Sequence, residues 1–149
     1  MTSRHQLQSM DPFEFEKLVA AVWEAKGYDT IVRDQTGDKG IDVEASKRDS
    51  QEVMQVKRYS DDNTIGSQKV REYATLYQQT DADDVVIVSS GYFTNPAREL
   101  AADLDVSLVN GDDIIQLIQS VEIEEQPIKQ STEKQSSKEG LAYAITYTI

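Results

Sequence analysis

The chain has 149 residues, enough for one domain with a single core, and no cysteine, which excludes a disulfide framework and any cysteine-ligated metal. Its net charge of −12 runs against the basic footprint of most nucleic-acid enzymes. The charge is uneven, however: residues 33–71 hold eight of the 15 Lys/Arg and eight of the 27 Asp/Glu, so the acidic excess lies elsewhere.

Residues 1–10 are polar and read as a flexible N-terminus. They carry His5, the lone histidine, so histidine-based catalysis is excluded. Asp11 and Pro12 open a helix that Gly27 ends, with Glu14 placed as in a capping box. Its apolar stripe is Phe15, Leu18, Val19, Val22 and Trp23, and Glu16 lies at the stripe's edge. That glutamate is either a first-turn acid favoured by the helix dipole or a group reaching towards a sheet end.

Residues 28–34 read as a strand, followed by a turn containing Gly37, Asp38, Lys39 and Gly40. A hairpin follows over residues 41–58. Alternation places Ile41, Val43 and Ala45 on one face and Asp42 and Glu44 on the other. Met54 and Val56 likewise face away from Gln55 and Lys57. With the apolar sides together, Asp42, Gln55 and Lys57 meet at one end of the hairpin. Pattern alone favours a solvated face with an Asp42–Lys57 surface pair; a divalent-metal site with a lysine beside it is the alternative. Lys47 and Arg48 form the hairpin tip, either solvated or against a phosphate backbone.

A helix over residues 66–79 exposes Lys69 and Arg71. A buried strand spans 84–89, Thr94 caps a helix to about 103, a short strand spans 106–109, and a last helix spans 112–120. Residues 122–140 read as a polar linker and 141–149 as a strand-like tail. No apolar run is long enough to span a membrane and no signal-peptide region is present, which reads as a cytoplasmic protein.

Read together, Gly40-Ile41-Asp42-Val43 and Gln55-Val56-Lys57-Arg58-Tyr59 resemble the Mrr-like catalytic domain of the PD-(D/E)xK, restriction-endonuclease-like nucleases. Collinear matches extend the likeness over about residues 10 to 120: Asp11 to Glu16 with Gly27-Tyr28, Val86-Ile87-Val88 with Gly91 to Thr94, and Val109 to Asp112. The resemblance implies an α/β fold, a mixed central sheet with helices on both faces in the order αβββαβαβα, occupying residues 11–121. It implies a Mg²⁺-dependent DNA endonuclease of restriction type, with Mn²⁺ as a substitute metal. Asp42 is then the main ligand, joined by Gln55 in the QxK form of the motif, Glu16 and the Val56 carbonyl, and Lys57 is the catalytic lysine. Gly40, Lys39, Arg58, Lys47, Arg48 and Lys69 are the expected nucleic-acid contacts. Duplex or branched DNA is the expected partner. A junction-cleaving nuclease and a non-cleaving DNA-binding module of the same fold are the alternatives. Two strands to cut imply a homodimer, and a DNA-recognition subunit could supply the reader domain missing from the pattern. The acidic remainder of the chain fits a halophilic source.

Overall fold

The computed structural model describes residues 3–33, 41–121, 123–126 and 142–145, the last two stretches by backbone alone. A five-stranded mixed sheet runs in the order β1-β2-β3-β4-β5, from β1 (Asp29–Val32), β2 (Val43–Lys47), β3 (Ser50–Lys57), β4 (Asp84–Ser89) and β5 (Val106–Val109). The first three strands are antiparallel, and β3, β4 and β5 are parallel. The parallel half is joined by crossover helices, so strands β3 and β4 are apolar on both sides.

Helices cover both faces. On one lie α1 (Arg4–Ser9), α2 (Pro12–Ala25) and α6 (Gly111–Val121), packed on Val43, Ala45, Met54, Val56, Val86 and Val88. On the other lie α3 (Ser67–Ala74), α4 (Leu76–Gln79) and α5 (Asn95–Leu104), packed on Val53, Val85, Ile87 and Val106. The expected αβββαβαβα order is therefore present, with additions at both ends.

The cap chemistry explains the main helix boundaries. Asp11 accepts hydrogen bonds from the Phe13 and Glu14 N–H groups, and Gly27 leaves α2 at a φ of +102°, a conformation natural to glycine. Thr94 accepts from the Ala97 N–H at the start of α5. Asn110 and Asp113 cap α6 reciprocally, each side chain accepting the other's backbone N–H.

Four expectations are corrected. The N-terminal segment is not loose: Ser3 and Gln6 form a capping box for α1, and Leu7 is fully buried against α2 and α6. The helix expected over 66–79 is two helices, because the Thr75 hydroxyl donates back to the Glu72 carbonyl and the Thr75 N–H closes a tighter i→i−3 bond. The polar stretch after α6 contains a strand, β6 (Ile123–Gln126), antiparallel to β7 (Ala142–Ile145) in the tail. The fourth concerns Ile41. It does not share a face with Val43 and Ala45 but is buried in the opposite core half. The Asp42 N–H donates to the Met54 carbonyl, although Met54 is the register partner of Val43. Two residues thus oppose one, as in a β-bulge, and the alternation slips at Asp42.

Candidate active site

The slip positions the site. Asp42 sits where β2 begins and the ladder to β3 is broken, so its side chain turns along β3 instead of across it. Its Oδ2 accepts the Val56 backbone N–H at 2.8 Å. Burial pushes the Asp42 carboxyl above its ordinary range, while the Val56 N–H and the Lys57 ammonium pull it back down. The pull from Lys57 places the two side chains within electrostatic reach.

Gln55 is the next piece. It is 4% exposed, and its Oε1 is buried with no hydrogen-bond partner among the described residues. An orphaned amide oxygen of this kind costs roughly 1–3 kcal/mol, so it is uncommon in a finished core. It lies on the face shared by Val53 and Lys57, one rung from the Asp42 slip.

Glu16 is also 4% exposed, on the buried side of α2. The Trp23 indole N–H donates to Glu52 at the far end of β3, which fixes how α2 lies along that strand. Glu16, two helical turns before Trp23, lies on the same side of α2. It approaches from the α2 side of the sheet.

Lys57 is half-buried at the end of β3, and the chain beyond it is firmly held. The Ser90 N–H donates to the Lys57 carbonyl, and the Ser90 hydroxyl both donates to the Tyr59 carbonyl and accepts the Tyr59 N–H. Gln8 from α1 donates to the Ser90 carbonyl and to Asp61, and Arg4 bridges Asp61 and Asp112. Sequence reasoning missed this clamp. The signal was two fully buried serines at the end of an apolar strand. Tyr73 lies on the buried side of α3. Burial chiefly, with Glu72, Tyr59 and Asp42 adding, pushes its phenol up to about 12, so it stands as a neutral wall near Asp42.

The expected DNA contacts divide. Lys39 and Gly40 lie outside the described residues. Arg58 is beside the site, but its Nη1 donates to the Gln8 carbonyl, tying α1 to the end of β3. Lys69 lies on the exposed side of α3, paired with Glu72 and near the Tyr73 ring. Lys47 and Arg48 are at the other end of the hairpin, about 13 Å along β2 from Val43. There the Lys47 ammonium donates to the Lys26 carbonyl and sits over the Tyr28 ring. The structure does not bring those two to the Asp42 end.

Among the described residues, no three His, Cys, Asp or Glu side chains cluster as a metal site. An amide at Gln55 leaves at most two acids here. The donors that are present are hard oxygens, the kind Mg²⁺ and Mn²⁺ prefer, and the orphaned Gln55 Oε1 is free to take such a cation. The set fits one divalent ion that keeps several waters.

The family model of the Mrr catalytic domain, described as a restriction endonuclease, matches residues 7–118. No curated protein matches the chain. Among solved structures, AF1548, a protein of unknown function, superposes with a TM-score of 0.70 at 14% identity, over 89% of this chain and 80% of that one. The DNA modification-dependent restriction endonuclease AspBHI gives 0.57 at 19% identity, over 78% of this chain and 33% of its own. The MspJI restriction endonuclease, solved with a 27-mer oligonucleotide, gives 0.54 at 16%, over 72% and 27%. The chain thus spans about a third or less of those two enzymes, and the likeness to all three is one of fold. With a family model matched across most of its length, and the fold shared with two restriction enzymes, the chain belongs to the Mrr catalytic-domain family of restriction endonucleases.

Proposed function

We propose that this nuclease domain is a Mg²⁺-dependent DNA endonuclease that hydrolyses phosphodiester bonds, with modified DNA as its substrate class. The observation that carries the reading is the buried, unpartnered Gln55 Oε1 one rung from a half-buried carboxylate that is itself held by a backbone N–H. A buried polar atom left open in this way is a place where an outside group can complete the network.

Asp42, Gln55 Oε1, the Val56 carbonyl and Glu16 would hold the ion, and Mn²⁺ would substitute. When bound, the ion supplies charge neutralisation at the phosphate and an acidified water. The chain's own contributions are more specific. The Val56 N–H fixes the Asp42 carboxylate in one orientation. The Lys57 ammonium lies beside the scissile phosphate and stabilises the charge that develops on its oxygens. The Ser90 clamp holds the backbone that carries Lys57, so the ammonium is presented in one place. Tyr73 and the apolar core beneath exclude water from one side of the carboxylate.

Modification dependence is supported by the description of AspBHI and by nothing in the site itself. The test is cleavage of supercoiled plasmid, methylated and unmethylated, with and without Mg²⁺ at low and high KCl. Metal-dependent nicking by the wild type, lost in Asp42→Ala and Lys57→Ala, is expected. Binding without cleavage by the folded wild type on every substrate, four-way junctions included, would sink the reading in favour of a binding module. Preference for the junction would replace restriction with structure-specific cleavage.

A further inference from the structure

The first strand of the sheet is an open edge. Among the described residues no strand pairs with the outer side of β1, and its central residue, Ile31, is 60% exposed. An exposed apolar residue in the middle of an edge strand is a feature that natural sheets ordinarily avoid or cover.

The hydrogen-bond phase of β1 is fixed by its neighbour. The Arg33 N–H donates to the Asp42 carbonyl, and Ile31 is registered on Glu44. In an antiparallel pair, alternate residues bond to the partner strand. Asp29, Ile31 and Arg33 therefore turn their backbone groups inward to β2, and Thr30 and Val32 turn theirs out to the free edge.

The local sequence is complementary to itself. Set antiparallel to a second copy with the two-fold at Ile31, Asp29-Thr30-Ile31-Val32-Arg33 pairs Asp29 with Arg33 of the partner subunit, and the reverse. Thr30 and Val32 fall opposite each other in bonded pairs, giving four backbone hydrogen bonds. Ile31 meets its own copy in a non-bonded pair, where side chains approach most closely. Asp29 is exposed, and Arg33, part-exposed, is paired with Glu44 of its own subunit.

We infer that β1 is the homodimer interface, joining two copies edge to edge into one continuous ten-stranded sheet about a two-fold at Ile31. Such an interface is isologous, as closed dimers require. The two-fold stands perpendicular to the sheet, so Gln55 and Lys57 of both copies stay on one face. Three strand spacings sideways and four residues along the strand put the two Asp42 positions roughly 20 Å apart. That spacing presents two sites to one duplex, a meaning that rests on the nuclease reading; the interface itself does not.

The test uses the full chain without DNA or metal. Light scattering should give twice the protomer mass at micromolar concentration, and the monomer for Ile31→Lys. Amide exchange should show Thr30 and Val32 protected in the wild type and fast in Ile31→Lys. Because the chain has no cysteine, Ile31→Cys offers a symmetric cross-link. Mild oxidation should convert most of it to a covalent dimer, against a background level for Gln68→Cys on the exposed side of α3. A wild-type monomer would overturn the inference. So would a dimer with fast-exchanging Thr30 and Val32 amides, because it would use another surface. Both readouts stay independent of cleavage, so a failed nuclease assay leaves this result standing.

Discussion

The two ends of the β2–β3 hairpin are built to different rules. At the turn end a set of polar groups is paired. Glu52 accepts the Trp23 indole N–H on one oxygen and the Tyr28 hydroxyl on the other. Lys47 donates to Lys26, and Gln51 and Asp83 exchange backbone and side-chain bonds. At the Asp42 end the carboxylate is half-buried and pushed towards its neutral form, and the Gln55 amide oxygen is buried without a partner among the described residues. The same two strands therefore carry a finished structural network and an unfinished one. An unfinished polar end is what a site for an outside group looks like.

Mutations should separate the two ends. The largest effect is expected at the unfinished end: Asp42→Ala or Lys57→Ala should cut plasmid nicking by about 100-fold or more, with the melting temperature unchanged or raised. At the finished end, Glu52→Ala strands two part-buried donors and should cost about 2 kcal/mol. For a domain of this size that is a fall of roughly 5–10 °C in Tm by scanning calorimetry. The rate of nicking well below that temperature should stay at the wild-type level. If Glu52→Ala abolished cleavage at a temperature where it is folded, the contrast between the ends would fail.

The pH dependence sharpens the same contrast. The Asp42 carboxyl is raised in the folded state, so the native protein holds its proton more tightly than the unfolded chain. Its cost to stability is absent at pH below the ordinary 3.8 and appears as pH rises from there through the raised value. Urea melts of wild type and Asp42→Asn should therefore converge in acid and diverge towards neutrality, with the variant the more stable. Cleavage should lose its acid limb over the same range, because the ion needs the ionised carboxylate. Gln55→Glu adds a charged oxygen beside Asp42, and should lower the Mg²⁺ concentration for half-maximal nicking while reducing stability without metal.

The smallest effect belongs to the turn. Arg48 holds a φ of +57° in the two-residue connection between Lys47 and Ser50. Arg48→Gly removes that strain and should stabilise by about 1 kcal/mol with cleavage unchanged.

Much of this was readable from the chain because it depends on near neighbours. Asp11, Gly27 and Thr94 mark helix ends through local capping, and the apolar runs in β3 and β4 mark buried strands. Asp42, Gln55 and Lys57 fell on one end of one hairpin by alternation alone. What could not be read depends on contacts distant in sequence. Leu7 is a single apolar residue among polar ones, and only its packing against α2 and α6 makes α1 part of the fold. The Ser90 hydroxyl finds Tyr59 thirty-one positions away. Ile41 follows the alternating pattern in sequence, and the slip at Asp42 that reverses its face is a property of the ladder with Met54. Lys47 and Arg48 read as well as any basic pair until the hairpin's direction placed them at the far end.

The most direct test of the contrast needs no DNA. Thermal unfolding would be followed with 0 and about 10 mM Mg²⁺ or Mn²⁺ in wild type, Asp42→Asn and Glu52→Gln. A ligand at about 100 times its Kd stabilises by roughly 2.7 kcal/mol, a rise of several degrees here. The account predicts that rise in wild type and in Glu52→Gln, each from its own baseline, and none in Asp42→Asn. An equal rise in all three proteins would contradict it, because the ion would then bind somewhere other than the unfinished end of the hairpin.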